Sequence, residues 1–213
     1  MEKKIIFLEA FKMNESDNQI DIQEEEEVIT EEDLEAELLE DRIIVWNPKV
    51  GSWLYKQGYY GKPVGIRKPK HFNFTRPLEL SLLESTYLLS INKLRIKRAI
   101  SNKPISYEEL KRIGELHYDR FTEKFIVYTD LRNRGYVVRP GLKFGADFAI
   151  YEHGPGIDHS PLIVHVLSRG VELSPIELVR AGRLATTVRK KFTIATVPPD
   201  GTPRYFMFSW FKP

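Results

Sequence analysis

The sequence predicts an α/β (α+β) protein made of two small mixed domains. Its 213 residues suit either one large domain or two small ones, and hydrophobic residues make up 42%, which is enough for packed cores. In the second half, helical and strand patterns follow one another in the order αα-βββ-α-ββ, which is typical of a mixed sheet with flanking helices. We therefore expect an N-terminal domain over residues 1–104 and a second domain over residues 105–213.

The start of the chain combines a short apolar segment with an acidic insert. Residues 5–11 (IIFLEAF) predict a strand, and residues 14–41 are polar and strongly acidic. Within the insert, Thr30 and Asp33 form a capping signature ahead of leucines at helical spacing. This pattern predicts a short docked helix over residues 31–41.

Three further segments complete the N-terminal half. Residues 42–54 indicate a pair of strands interrupted at Asn47-Pro48. The apolar positions of residues 77–93 lie on more than one face of a helix, which indicates a well-buried helix. Residues 95–105 predict a short basic connector, and we place the domain boundary at its end.

The second half carries clearer start and stop signals. Residues 106–109 begin a helix with a Ser-x-x-Glu capping signature, and a second helix over residues 120–134 is followed by Gly135, a typical residue just past a helix end. Residues 174–177 form a further capping signature with proline at the first helical position, which predicts a third helix to about residue 189. Strands are expected at residues 136–139, 146–151, 159–167, 192–197 and 204–211.

Charge is distributed unevenly along the chain. Residues 1–41 hold 16 Asp and Glu against 3 Lys and Arg, a net charge of −13, whereas residues 42–213 have a net charge of +15. A basic body of this size attracts polyanions such as nucleic acid. A solvated basic surface balanced by an acidic segment is the alternative interpretation.

Composition excludes some classes of protein and site. The chain contains no cysteine, so disulfides and thiolate metal sites are ruled out. No apolar run approaches the roughly 18 residues of a membrane span, and the first residues do not resemble a secretory signal. We expect a soluble cytoplasmic protein with no membrane partner.

Three ionisable residues stand where strands and a helix are expected to end together. Tyr151 ends a strand, His159 begins the next after a Gly/Pro loop, and Lys190 follows the third helix. These residue types suit RNA transesterification, in which the ribose 2′-OH attacks its own phosphate and a base, an acid and a cation are needed. Histidine is an acid near neutral pH, whereas tyrosine becomes a base only where nearby cations lower its pKa from about 10. From spacing alone, structural roles for all three stay open.

Long motifs give the chain a family resemblance. Residues 124–167 (KFIVYTDLRNRGYVVRPGLKFGADFAIYEHGPGIDHSPLIVHVL) and residues 181–196 (AGRLATTVRKKFTIAT) resemble the catalytic domain of tRNA-intron endonucleases. The motifs KQGYYGKPVG and LELSLLESTYLL, within residues 56–90, are similar to the N-terminal domain of archaeal members. The resemblance covers nearly the whole chain apart from the acidic insert.

The resemblance implies a set of site residues. Tyr151 ends the motif GADFAIY, His159 opens HSPLIVHV and Lys190 closes TTVRK, and their implied roles are base, acid and transition-state stabiliser, with no metal and no cofactor. Arg183 in AGRL and Trp210 in FSWF match a cation–π clamp that holds a bulged RNA base in the partner subunit's active site.

The resemblance also implies a substrate and an assembly. A catalytic subunit of this family cleaves precursor tRNA at the intron–exon junctions of a bulge-helix-bulge motif and leaves a 2′,3′-cyclic phosphate and a 5′-OH. One chain holds one triad while the substrate has two cleavage sites, so we expect self-association or a structural endonuclease subunit as partner, in a homotetramer or a heterotetramer. The last strand, residues 204–211, is apolar on both faces and is the expected pairing surface.

Three other functions stay open. A metal-dependent nuclease would need carboxylates, and the acidic residues near the expected site are Asp147, Glu152 and Asp158. A noncatalytic structural subunit of the same endonuclease and an RNA-binding module without chemistry are the others, although the filled triad positions count against both. For His165 and Asp147, a structural role is the alternative to a catalytic one.

Overall fold

The computed structural model describes residues 29–157, 160, 162–168, 170–172, 174–187 and 190–208. The strands of this part of the chain are β1 (Glu35–Leu39), β2 (Arg42–Val45), β3 (Lys62–Pro63), β4 (Leu78–Leu80), β5 (Arg95–Arg98), β6 (Val137–Pro140), β7 (Phe148–Tyr151), β8 (Leu162–Leu167), β9 (Lys191–Thr196) and β10 (Arg204–Phe208). Its α-helices are α1 (Pro48–Gly58), α2 (Leu82–Ser90), α3 (Tyr107–His117), α4 (Phe121–Asn133) and α5 (Pro175–Thr187). The predicted α/β (α+β) class is confirmed, and the strand predicted at residues 5–11 lies outside the described residues.

The first sheet corrects the prediction of a helix over residues 31–41. Five strands pair in the order β3-β4-β2-β1-β5, and β1 occupies the middle of the predicted helix. Leu34, Ala36 and Leu38 are buried while the glutamates between them face outward, so the leucine spacing follows a period of two rather than a helical period. The capping signature instead closes a turn, in which the Asp33 carboxylate accepts from the Thr30 backbone N–H at 2.8 Å.

The rest of this half also differs from the prediction. Asn47 is the N-cap of α1 and Pro48 its first residue, so the predicted strand pair over residues 42–54 is one strand followed by a helix. Residues 77–93 begin with β4 before α2, whose N-cap Ser81 forms a capping box that marks the true helix start. The first four residues of the basic connector form β5, in which Ile96 is buried between two cations and which pairs parallel to β1.

The second sheet matches the prediction closely. Its strand order is β10-β9-β8-β7-β6, with β8 and β9 parallel and the other pairs antiparallel. Ser106 caps α3 by accepting from the Glu109 backbone N–H at 3.2 Å. Past α4, the N–H groups of Gly135 and Tyr136 bond the carbonyls of Arg132 and Leu131, and Gly135 takes the positive φ that this ending requires.

A continuous core joins the two halves. Buried residues of both sheets and of α1 to α4 form one hydrophobic cluster, and a smaller cluster under α5 covers the opposite face of the second sheet. Arg132 of α4 connects the halves inside the core, where it donates to the carbonyl oxygens of Gly58 at 2.8 Å and Val138 at 3.2 Å. Its guanidinium also lies 4.3 Å from the ring centroid of Tyr60. Within the described residues, no helix has the length and apolar character needed to cross a membrane.

Candidate active site

Three neighbouring strands of the second sheet end or begin side by side, and we call this row of strand ends the sheet edge. β7 ends at Tyr151, while β8 and β9 begin at Leu162 and Lys191. Ile150 pairs with Leu162, and Leu162 pairs with Lys191, so Tyr151 and Lys190 each lie one residue beyond a paired row of three strands. Two strand spacings separate their backbones by about 10 Å.

Lys190 reaches toward the sequence neighbour of His159. Its Nζ donates to the backbone carbonyl oxygen of Ser160 at 2.6 Å and lies 4.8 Å from the ring centroid of Phe144. Partial burial lowers the pKa of the Lys190 ammonium, because a charged group is less stable away from water. The adjacent Lys191 is exposed on β9, which distinguishes the two lysines.

Tyr151 opens onto a basic groove between the two halves of the chain. The groove has a volume of about 620 Å³, and no acidic side chain is among the described residues that line it. Its cationic lining residues are Lys62, Arg67, Lys68, Lys70, Arg139 and Lys143. Aromatic side chains, including Phe144 beneath Lys190, line it as well. The groove therefore offers a polyanion a positively charged surface, and Tyr151 is part of its lining.

Sequence reasoning missed the contribution of the N-terminal half to this groove. Residues 62–70 (KPVGIRKPK) supply four of its cations within nine positions. The two prolines of this run, Pro63 and Pro69, also line the groove. The high density of cations in this run was a sequence signal for a polyanion-binding segment. Nothing in the sequence, however, placed the run opposite β7.

The structure describes three of the five predicted site residues. Tyr151 is half-buried at the end of β7, and Lys190 is half-buried at the same sheet edge. Arg183 lies on α5 and is exposed. His159 and Trp210 lie outside the described residues.

Asp147 is engaged in a buried network at the opposite end of β7. One carboxylate oxygen lies 3.0 Å from Lys124 Nζ, and the other lies 3.1 Å from His165 Nδ1 and accepts from the Val166 backbone N–H at 2.7 Å. Burial alone would raise the pKa of Asp147, but the bonds from His165, Val166 and Lys124 outweigh it and hold the pKa at about 2. These contacts match the structural alternative for Asp147 and His165.

The described lining of the groove contains no carboxylate. Among the described residues, no three His, Asp or Glu side chains converge in a way that could hold a metal ion. Glu152 is exposed after β7, and Asp158 lies outside the described residues. The groove and the sheet edge instead combine cations with Tyr55 and Tyr151, a set suited to a phosphate ester.

Comparison with known proteins supports the resemblance seen in the motifs. Residues 121–205 match the tRNA intron endonuclease, catalytic C-terminal domain, and residues 34–111 match the N-terminal domain of the same endonuclease. A tRNA-splicing endonuclease of Hyperthermus butylicus is 47% identical over 181 residues, which cover 84% of this chain and 99% of the relative. One from Sulfurisphaera tokodaii is 42% identical over 180 residues, 83% of this chain and 98% of the relative. The chain therefore belongs to the tRNA intron endonuclease family.

Proposed function

We propose that this protein is an endoribonuclease that cleaves precursor tRNA at its intron–exon junctions. The observation that carries the proposal is the junction of Tyr151, Lys190 and the basic groove at one sheet edge, in a chain that matches both domains of the family. The relatives that match nearly their full length are named tRNA-splicing endonucleases. In this proposal, residues 1–104 and 105–213 are the N-terminal and catalytic domains.

The reaction is an attack of the ribose 2′-OH on the adjacent phosphorus. Tyr151 accepts the 2′ proton, the new O–P bond closes a 2′,3′-cyclic phosphate, and the bond to the 5′ oxygen breaks. His159 donates the proton that turns this leaving oxygen into a 5′-OH. Positive charge along the groove supports the first step, because it stabilises the phenolate that a tyrosine forms when it gives up its proton.

Lys190 stabilises the charge that develops on the phosphate oxygens. Its ammonium is partly buried and is held by the Ser160 carbonyl, so its direction is fixed before the substrate binds. A fixed cation in a partly dry site acts on a transition state more strongly than a solvated one. No metal and no cofactor take part in this scheme.

The groove holds the RNA backbone. The cations of residues 62–70 face those of β6 and the short 3-10 helix Leu142–Phe144, so a strand of phosphates contacts both halves of the chain. Arg183 and Trp210 form the clamp on a bulged base of the RNA bound at a partner subunit, as stacking between a guanidinium and an aromatic ring allows.

The active protein is an oligomer that pairs through β10. On this edge strand Phe206, Met207 and Phe208 are 52%, 55% and 42% exposed, an apolar run that a monomer would leave in water. Tyr205 anchors the strand by donating to the Asp130 carboxylate at 2.6 Å. A homotetramer and a heterotetramer with a structural endonuclease subunit both provide the two active sites that one intron needs.

The test is cleavage of an intron-containing precursor tRNA in excess EDTA. We expect two cuts that release the intron, and no cut in the matching intronless tRNA. Cleavage that stops in EDTA and returns with Mg²⁺ would favour a metal-dependent nuclease. Tight binding without cleavage, by the chain alone and with candidate partner subunits, would favour a noncatalytic structural role.

A further inference from the structure

The ring of Tyr59 lies directly against the loop that follows Tyr151. Gly154 of this loop is buried and has a φ of +132°. A Cβ atom at this position would lie 2.8 Å from Cδ2 of Tyr59 and still nearer to Cε2 and Cζ. Only glycine therefore permits this close contact between the backbone of the loop and the ring.

Tyr59 holds this place in an unfavourable backbone conformation. It follows the last residue of α1 and takes the left-handed region, with φ 55° and ψ 34°. Glycine usually occupies such a position, because a side chain there meets the following carbonyl. The preceding glycine, Gly58, is needed one residue earlier, where a Cβ would lie 2.8 Å from the ring of Tyr60. Strain of this kind persists where the surrounding structure fixes the residue, and it often marks a functional contact.

Contacts from both halves of the chain fix the ring and the backbone of Tyr59. Tyr59 is 6% exposed, and its ring packs edge-on against Tyr55 at 5.3 Å and Phe72 at 5.4 Å between centroids. Arg139 of β6 donates to the carbonyl oxygens of Tyr59 and Gly61. Because β6 pairs with β7, the same strand that supports Tyr151 also holds Tyr59 in place.

We propose that Tyr59 is a positioning residue for the cleavage reaction, with its ring setting the path of residues 152–157 relative to Tyr151. The inference rests on the proposed function and extends it, because it makes the N-terminal half a support of the active site. Reacting groups displaced by about 1 Å can lose roughly 10² in rate, so a shift of this loop is expected to lower the rate of cleavage more than the affinity for RNA.

The first test compares alanine at two glycines of the same loop. Gly154 and Gly156 both have positive φ, but a Cβ at Gly156 meets nothing within 4 Å. Both variants therefore carry backbone strain, and only Gly154→Ala collides with Tyr59. In single-turnover cleavage of precursor tRNA, we expect Gly154→Ala to be at least about tenfold slower than Gly156→Ala. Their affinities for an RNA with 2′-deoxyribose at the cleaved positions should agree within about twofold. Equal cleavage rates for the two variants would overturn the inference.

The second test changes the ring itself. Tyr59→Leu removes the aromatic packing surface and should slow cleavage by about tenfold or more. Phe74→Leu is the matched control, because Phe74 packs on Tyr55 in the same aromatic cluster at 5.9 Å. A Tyr59→Leu rate equal to that of Phe74→Leu would show a merely structural role and refute the inference. A wild-type protein that does not cleave precursor tRNA would instead refute the proposed function.

Discussion

Replacing Asp147 by asparagine should destabilise the protein without removing its chemistry. The carboxylate is 11% exposed and contacts Lys124, His165 and the Val166 N–H, at the end of β7 away from Tyr151. Asparagine has nearly the same shape but no charge. The variant therefore tests whether Asp147 holds the second sheet against α4 or takes part in the reaction.

The structure gives the size of the effect. A pKa of about 2, against the ordinary 3.8, corresponds to about 2–3 kcal/mol of stability at neutral pH. The variant also leaves the Lys124 ammonium, 9% exposed, without its anionic partner, and a lost partner in a buried pair costs about 3–5 kcal/mol. We expect the free energy of unfolding to fall by about 3 kcal/mol. Because the folded-state pKa is the lower one, the carboxylate's contribution is present above pH 3.8 and is lost as the pH falls through about 2.

Guanidinium unfolding at fixed protein concentration measures this loss. The difference between wild type and Asp147→Asn should be full at pH 7 and should shrink between pH 4 and pH 2, while cleavage by the folded variant stays within about threefold of wild type. Asp119→Asn, which removes an exposed partner of Arg120, is the control and should change stability by less than about 1 kcal/mol. A stable Asp147→Asn variant whose cleavage falls by about 10² or more would refute the structural assignment and implicate the carboxylate in the chemistry.

Further predictions concern the triad, the groove and the pairing strand. His159→Ala should slow single-turnover cleavage by about 10²–10⁴-fold with RNA affinity retained, because it removes the general acid; wild-type cleavage by this variant would show that another group is the acid. Lys190→Ala should slow cleavage by about 10²-fold in the same assay, since it removes the cation at the phosphate. Replacing the exposed Lys191 by alanine should not slow cleavage. Equal losses of rate in the two variants would contradict the assignment of Lys190 as that cation. Lys68→Ala should weaken RNA binding and lower the slope of log affinity against log salt by about 1, and an unchanged slope would place the phosphates elsewhere. Met207→Glu should reduce the native mass measured by light scattering, because burying an unpaired charge where β10 contacts a partner subunit is unfavourable. An unchanged mass would exclude this strand as the interface.

The second sheet was predictable because its local signals agree with one another. The cap at Ser106, the glycine after α4 and the branched residues of β8 each indicate the element that forms. The first sheet was not predictable in this way, because the leucines of residues 34–39 fit both a helical period and a period of two. Pairing with β5, about 60 residues along the chain, selects the strand, and no local window contains that partner.

The candidate site was likewise predictable only in part. Tyr151 and Lys190 could be placed from the ends of predicted elements, and the strand register brings them to one edge. The groove depends on how the N-terminal half packs on β6, through Arg139 and Arg132, which is a tertiary property. The contact of Tyr59 with Gly154 was hidden for the same reason, because a glycine in a loop does not identify the side chain that requires it.

In the proposed reaction, the ribose 2′-OH is the nucleophile. The direct measurement is single-turnover cleavage of two precursor tRNAs that differ only by a 2′-deoxyribose on the 5′ side of each scissile phosphate. We predict that the all-ribose RNA gives 2′,3′-cyclic phosphate and 5′-OH ends, and that the deoxy RNA binds with similar affinity but is not cut at either position. Cleavage of the deoxy RNA at the same positions would contradict the account, because the nucleophile would then be water.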